Sequence, residues 1–305
     1  MNIRELKING CSCVEISGVE NFDVHKIFDC GQCFRFDRVE HSHHEKEFSG
    51  VAFGRFVSFA QDGDCVTIYG SDLADYETVW RSYLNIDQDY NEISRNILEH
   101  CQNGALIEAV EYGKGIRILA QDPFECIISF IISQNNNIPR IKKIIEALSA
   151  RCNVPLDIHP EMKNHLSGKS SLCAFPDANM LYELGIDGLA ELKTGFRAKY
   201  IYDAVSRSID GSLSIKNIMA STSTEDAIER LCSVKGIGTK VASCALLFGF
   251  SRYDAFPIDV WMKRVAVKYF GEAGEQLDAR SFGPYAGIAQ QYLFYYERYR
   301  TLENK

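Results

Sequence analysis

Leu231-Cys-Ser-Val-Lys-Gly236-Ile-Gly238-Thr-Lys240-Val-Ala242 is the stretch on which the reading of this chain turns. A helical pattern over Thr224 to Cys232 stops at its near edge, and an apolar helix over Lys240 to Phe248 begins towards its far edge. Gly236 and Gly238 permit a tight turn and leave main-chain N–H groups uncovered where the second helix starts. Such an end suits a phosphate oxygen, with the helix dipole assisting. Two glycines separated by one residue say little alone. Between two helices in so short a span they read as a helix–hairpin–helix, in which Gly236, Gly238 and Val241 would meet a nucleic-acid backbone without reading its sequence. An ordinary glycine-rich helix connection is the plainer alternative.

Lys240 has two possible roles here. It could approach a phosphate as a cation, or it could act as a nucleophile, which requires the neutral amine although a lysine ordinarily titrates near 10.4. Burial and the positive end of its own helix both disfavour the ammonium form, so the location suits an activated amine. Asp259, 19 residues further on (259 minus 240), lies in Phe256-Pro-Ile-Asp-Val-Trp-Met-Lys-Arg264. Pro257 and Asp259 mark a helix start, with the carboxylate as N-cap. A carboxylate held there stays ionised and can stabilise a cationic sugar as an N-glycosidic bond breaks. A cap and nothing more is the simpler reading.

The chain has 305 residues, 46% of them hydrophobic and 24% charged, enough for a sizeable core and more than one domain. A net charge of -8 excludes a uniformly basic surface but not a basic strip on an acidic body. The 11 cysteines in a chain of this size read as reduced thiols. Cys30 and Cys33 form a lone C-x-x-C in strand-like surroundings, expected as buried small side chains; nothing matches zinc or iron–sulfur spacing. His41, His43 and His44 read as a solvated loop, so no metal site is expected. No secretory segment opens the sequence and no apolar run is long enough to span a bilayer. A cytoplasmic location follows as an expectation, nucleoid-associated in a prokaryote.

Outward from the hairpin, the N-terminal part is β-rich. Strands are expected over Phe34–Phe36, Phe48–Phe53, Arg55–Ala60 and Cys65–Tyr69, with Gly50, Gly54 and Asp62-Gly63-Asp64 as turns. From Asp72 the period becomes helical. Helices are expected over Pro123–Ser133, Ile138–Cys152, Ala178–Leu184, Ala198–Ile209, Val260–Phe270 and Ala286–Tyr299 as well. Asn153 to Pro176, with its prolines, histidines, serines and Gly168, reads as a connection. The fold class is α+β: an antiparallel sheet domain over 1–115 and a helical region over 116–305, whose two subdomains would hold the active site between them.

With these residues in place, the sequence resembles the helix–hairpin–helix glycosylase superfamily, and within it the eukaryotic-type 8-oxoguanine DNA glycosylase branch. The resemblance runs in order from Cys-Gly31-Gln-Cys-Phe-Arg through Gln121-Asp-Pro-Phe-Glu-Cys-Ile, Ser133-Gln-Asn-Asn-Asn-Ile-Pro-Arg140 and Gly195-Phe-Arg-Ala-Lys-Tyr to Gly283-Pro-Tyr-Ala-Gly-Ile-Ala-Gln290-Gln-Tyr-Leu-Phe294. It implies a bifunctional glycosylase and lyase that everts 8-oxoguanine paired with cytosine and forms a Schiff base through Lys240. Double-stranded DNA carrying an oxidised purine is the implied partner, and no cofactor is required. A structural monovalent cation could bridge hairpin carbonyls and a phosphate. The chain is expected to act as a monomer.

Gln290 and Phe294 fall on one helix face, so an amide could meet a purine's pairing edge while a ring stacks on it. Cys244, four beyond Lys240, could form the opposite wall. Oxidation at C8 turns the guanine N7 acceptor into a donor, which a main-chain carbonyl can recognise. The resemblance gives that contact to Gly31, where a glycine in a strand would let the backbone come close. It likewise gives Phe196 the hole left by the flipped base, and Asn135, Arg140 and Arg197 the unpaired cytosine. Phe196 departs from the tyrosine common in eukaryotic members. Trp261 stands where they carry a phosphate-side histidine, and no role passes to it. A monofunctional alkylpurine glycosylase of the same superfamily and a non-catalytic DNA-binding module are the two rival readings.

Overall fold

The computed structural model describes residues 1–167, 172–271 and 277–303. Six strands form one antiparallel sheet, in the order β1-β2-β6-β5-β4-β3: β1 (Asn2–Ile8), β2 (Cys11–Ser17), β3 (Phe36–Arg38), β4 (Lys46–Ala52), β5 (Arg55–Asp62) and β6 (Cys65–Tyr69). The first two lie outside the strands expected from alternation. Their signal is Asn9-Gly10, a two-residue turn with both φ values positive, at 50° and 85°. Gly50 is no turn. It sits inside β4, where an added Cβ would fall 2.3 Å from the Arg35 carbonyl oxygen, so glycine is needed for close approach.

Both faces of the sheet are covered. Val14, Ile16, Phe48, Val57, Phe59 and Ile68 pack on one side against helix α1 (Val24–Asp29) and the buried rings of Trp80 and Tyr83. On the other, Cys13, Val51, Ala60 and Tyr69 are closed off by Leu156, Ile158, Met162 and Leu166. The segment expected as a plain connection therefore completes a core. It carries a 3₁₀ turn over Pro160–His165 and pairs Pro155 with Cys173, while Gly168 lies outside the described residues.

A buried polar knot fastens this segment to the sheet. His165 Nδ1 donates to the Glu47 carboxylate at 2.5 Å, Ser58 donates to it at 2.6 Å, and Ser42 donates to its other oxygen. The His165 ring lies 4.2 Å from that of Tyr69. Burial pushes the Glu47 carboxyl up, but the hydrogen bonds from His165, Ser42 and Ser58 outweigh it and hold it below the usual range.

The longer helices are α2 (Tyr90–His100), α3 (Gly104–Tyr112), α4 (Pro123–Ser133), α5 (Ile138–Cys152), α6 (Ala178–Leu189), α7 (Ala198–Asp210), α8 (Thr224–Cys232), α9 (Thr239–Gly249), α10 (Val260–Phe270) and α11 (Ala286–Glu303). The expected end at Leu184 is a physical break inside α6, because Gly185 has φ 63° and ψ 179°. Although α2 and α3 precede residue 116, Tyr90, Ile93, Leu106 and Val110 lie in the helical core rather than the sheet core. Residues Val241 to Gly249 of α9 are all buried, and Phe248 stacks on Phe130 of α4 at 5.5 Å. An all-round apolar helix belongs at the centre of such a bundle. Among the described residues no helix is long and apolar enough to cross a membrane.

Because the folded-state acidity of Glu47 is greater than in the unfolded chain, its stabilisation is present above the ordinary glutamate value of 4.5 and is lost as pH falls below it. Glu47→Gln is expected to cost roughly 1–3 kcal/mol at neutral pH by breaking charge-assisted bonds. Thermal melts of the two proteins should therefore converge on acidification; a gap that stays constant to low pH would contradict the assignment.

Candidate active site

The hairpin forms as its glycines require. Gly236 has φ +84°, and an added Cβ would meet the Tyr200 ring at 2.2 Å, so the turn lies flat on that ring. Val234 and Ile237 are buried and anchor the turn to the core. Gly238 is the N-cap residue of α9, without a side-chain cap, and the first helical bond runs from Ala242 N to the Gly238 carbonyl. The N–H groups of Thr239, Lys240 and Val241 thus precede any intrahelical partner and are available at the helix end.

Lys240 sits in the first turn of α9 and Cys244 one turn further on. Asp259 caps α10, its Oδ1 accepting from Met262 N at 2.7 Å. Gln290 and Phe294 come from α11. Together with Gly31 these residues line one cavity of about 80 Å³, to whose wall Phe130, Phe248 and Met262 also contribute. The Lys240 ammonium nitrogen lies 5.6 Å from the Phe130 ring centroid. Among the described residues it forms no ion pair, so the amine and the Asp259 carboxylate face a shared space without neutralising each other directly. Burial pushes the Cys244 thiol up to about 11; the Lys240 charge opposes this and the Asp259 carboxylate reinforces it. Cys244 is therefore a neutral wall, not a nucleophile. The Gln290 amide is 5% exposed and has no hydrogen-bond partner among the described residues.

Gly31 is not in a strand. It follows the C-terminal end of α1 with φ +85°, and the atoms around an added Cβ stand at an ordinary 3.6 Å. Its backbone conformation, rather than crowding, calls for glycine. The expected C-x-x-C thiols are both buried.

The residues expected to fill the gap and to meet the opposite base form a second cluster. Phe196 projects from a tight segment after Gly195 (φ 62°) and is 51% exposed, its ring 5.8 Å from Tyr200. Asn135 is exposed in a left-handed turn (φ 48°) between α4 and α5, and Arg140 is exposed in the first turn of α5. Arg197 is placed differently from its three neighbours. It is 3% exposed, and its guanidinium donates to the carbonyls of Gln134, Asn135 and Thr194. In this state it shapes the Asn135 turn instead of pointing outward. Trp261 is half-buried against the helical core.

Several contributors escaped the reading of the sequence. Phe130 and Met262 sit in apolar helices where nothing separates a pocket wall from ordinary core. Gln121 donates to the Gln32 carbonyl at 2.7 Å, bracing the Gly31 loop from α4's approach. Among the described residues, no group of three or more His, Cys, Asp or Glu is placed to hold a metal ion.

A hairpin with an open helix end, a lysine in that helix and a capping carboxylate across one cavity together define a helix–hairpin–helix DNA glycosylase. The comparisons agree. The family model for the N-terminal domain of 8-oxoguanine DNA glycosylase matches residues 16–127. A solved 8-oxoguanine glycosylase/lyase from Clostridium acetobutylicum, in complex with double-stranded DNA containing cytosine opposite 8-oxoguanine, is 36% identical. The match covers 99% of each chain, with a TM-score of 0.86. The N-glycosylase/DNA lyase OGG1 of Arabidopsis thaliana is 28% identical over 288 residues, 88% of this chain and 75% of that protein. A 3-methyladenine DNA glycosylase from Archaeoglobus fulgidus shares the fold alone, at 20% identity and a TM-score of 0.68 over 94% of this chain and 99% of that one. This chain belongs to the 8-oxoguanine DNA glycosylase family.

Gly236→Ala would force a methyl group into the Tyr200 ring at a backbone angle that L-residues avoid. The expected result is DNA affinity weakened by at least roughly tenfold, for damaged and undamaged duplexes alike, since phosphate contacts carry no sequence information. Fluorescence anisotropy with both duplexes checks this.

Proposed function

We propose that the chain removes 8-oxoguanine paired with cytosine from duplex DNA and then cuts the strand, with the Lys240 amine as nucleophile. The convergence of Lys240, Asp259, Gln290, Phe294, Cys244 and Gly31 on one cavity is the observation that carries this reading. The damaged nucleotide leaves the stack, Phe196 fills the gap, and Asn135 and Arg140 meet the orphaned cytosine. The purine enters between Cys244 and Phe294, where Gln290 can both donate to and accept from its pairing edge. The Gly31 carbonyl accepts from N7–H, which 8-oxoguanine has and guanine lacks.

Chemistry then follows from two groups. As the bond from C1′ to N9 stretches, positive charge grows on the sugar and the Asp259 carboxylate stabilises it. The neutral amine of Lys240 bonds to C1′ while the base departs with the bonding pair. Ring opening gives an imine between Lys240 and C1′. The protonated imine acidifies C2′–H, and loss of that proton expels the 3′ phosphate by β-elimination. Both groups sit at helix N-termini, so each is placed by packed main chain rather than by a loose loop.

The acidic body need not oppose DNA. On α10, Lys263 and Arg264 are exposed beside Val260, one turn beyond Asp259, and form no ion pair among the described residues. Phosphates flanking the flipped nucleotide would run along this strip.

Borohydride added to the protein with an 8-oxoguanine duplex should trap a covalent adduct, and Lys240→Gln should abolish it; an adduct surviving that change would remove Lys240 from its role. Asn caps helices about as well as Asp, so Asp259→Asn is expected to leave the melting temperature nearly unchanged while slowing excision by roughly 100-fold or more. A melting temperature that falls with the rate would mean the carboxylate serves the helix alone. Replacing Lys263 and Arg264 together by alanine should weaken DNA binding and make the log–log salt dependence shallower by roughly 1 to 2.

A further inference from the structure

The loop that carries Gly31 is held by its main-chain carbonyls, one after another. The Asp29 carbonyl accepts from Arg298 Nη1 at 3.2 Å and from the Tyr299 hydroxyl at 3.3 Å, and that hydroxyl also meets the Asp29 carboxylate. The Cys30 carbonyl accepts from Gln291 Nε2 at 2.8 Å, in a fully buried bond. The Gln32 carbonyl accepts from Gln121 Nε2 at 2.7 Å. The Gln32 side chain is itself 0% exposed; it donates to the carbonyls of Ile27 and Arg117 and accepts from Leu119 N, each at 2.8 Å. Among the described residues the Gly31 carbonyl alone in this run accepts nothing.

Three fixed carbonyls around one free carbonyl have a mechanical meaning. Each peptide unit is rigid, so once its neighbours are held the unit that carries the Gly31 carbonyl keeps only rotation about the line joining the Cα atoms of Gly31 and Gln32. Pinning the carbonyls of Cys30 and Gln32, with the Gln32 side chain buried and bonded, fixes both ends of that line and narrows the range through which the Gly31 carbonyl can turn. Guanine is rejected at such a site by opposing lone pairs on N7 and the carbonyl oxygen. That repulsion counts only while the carbonyl cannot swing away, so discrimination here depends on stiffness as much as on contact.

We propose that Gln291 is the positioning residue that holds the Gly31 carbonyl toward N7 and so sets the preference for 8-oxoguanine over guanine. Arg298 and Tyr299 brace the same loop from behind. All three lie on α11 with Gln290, so one buried helix fixes the group at the pairing edge and, through the loop, the group at the N7 edge. The distance between the two is then a property of a helix and not of two independent segments. This inference rests on the proposed contact between Gly31 and N7.

The test compares Gln291→Met, which keeps the shape but loses the donor, with the parent protein. Affinities for 8-oxoguanine:cytosine and guanine:cytosine duplexes are measured in a Lys240→Gln background, and strand cutting at abasic sites is measured with Lys240 intact. Losing one buried hydrogen bond should reduce the affinity ratio by roughly 10- to 100-fold, while cutting of abasic DNA, which has no base to read, falls by less than about threefold. An unchanged ratio, or an abasic rate lowered as much as the ratio, overturns the proposal. A parent protein that shows no preference for the 8-oxoguanine duplex would instead overturn the reading of the cavity itself. If Gln291→Met does not fold, Tyr299→Phe loosens the same loop from outside the cavity and must lower the ratio in the same direction; a ratio it leaves unmoved also overturns the proposal.

Discussion

A helix buried along its length but left open at its first turn is the constraint on which this molecule depends. Burying Val241 to Gly249 fixes α9 in the middle of the helical core. Its start at Gly238 then has no choice but to emerge at a defined place, with unpaired N–H groups and Lys240 in the same turn. The apolar effect that holds the helix is non-directional. It nevertheless delivers a directional result, because a rigid rod pinned along its length presents its end with little freedom.

The other parts of the site are tied to that rod by a few shared contacts. Tyr200 lies under Gly236 of the hairpin and against Phe196, so the hairpin turn and the exposed Phe196 ring rest on one side chain. Arg197 carries the connection on to the Asn135 turn through main-chain carbonyls. Ile138, at the start of α5, reaches the Gly31 loop, which joins this turn to the cavity lined by Lys240 and Gln290. Each link is a packed apolar side chain or a buried charge-assisted bond, the kinds of contact that resist small displacements. Arg197 shows the cost of such a scheme. Its guanidinium is committed to holding three carbonyls and is withdrawn from the surface.

The sheet domain contributes less chemistry than position. Its outer face is sealed by the segment after α5, through the Glu47–His165 bond and the packing of Met162 and Leu166. That segment has little periodicity of its own, since its order comes from the surface it covers. Its turn residues describe a loop correctly in the local sense and miss its burial. The strands β1 and β2 are a different case. Asn9-Gly10 announced their hairpin locally, although the polar, half-exposed alternation of β1 is a weak strand signal.

Local chemistry alone determined a good deal of this protein. Helix starts at Pro123, Ile138 and Val260, the hairpin between α8 and α9, and the capping role of Asp259 all follow from short-range pattern, because caps, turns and 3.6-residue periods are properties of a few neighbouring residues. Gln290 and Phe294 shared a helix face for the same reason. What they face was decided elsewhere. Residues 31, 130, 240, 259 and 290 meet in space only because packing folds five separate segments around one cavity. The left-handed backbone at Gly31, the braces on its neighbours' carbonyls and the burial of Arg197 belong equally to that level. Hydrogen bonds between residues some 260 positions apart, such as Gln291 to Cys30, leave no periodic trace in either segment. Only the assembled core fixes which donor finds which acceptor.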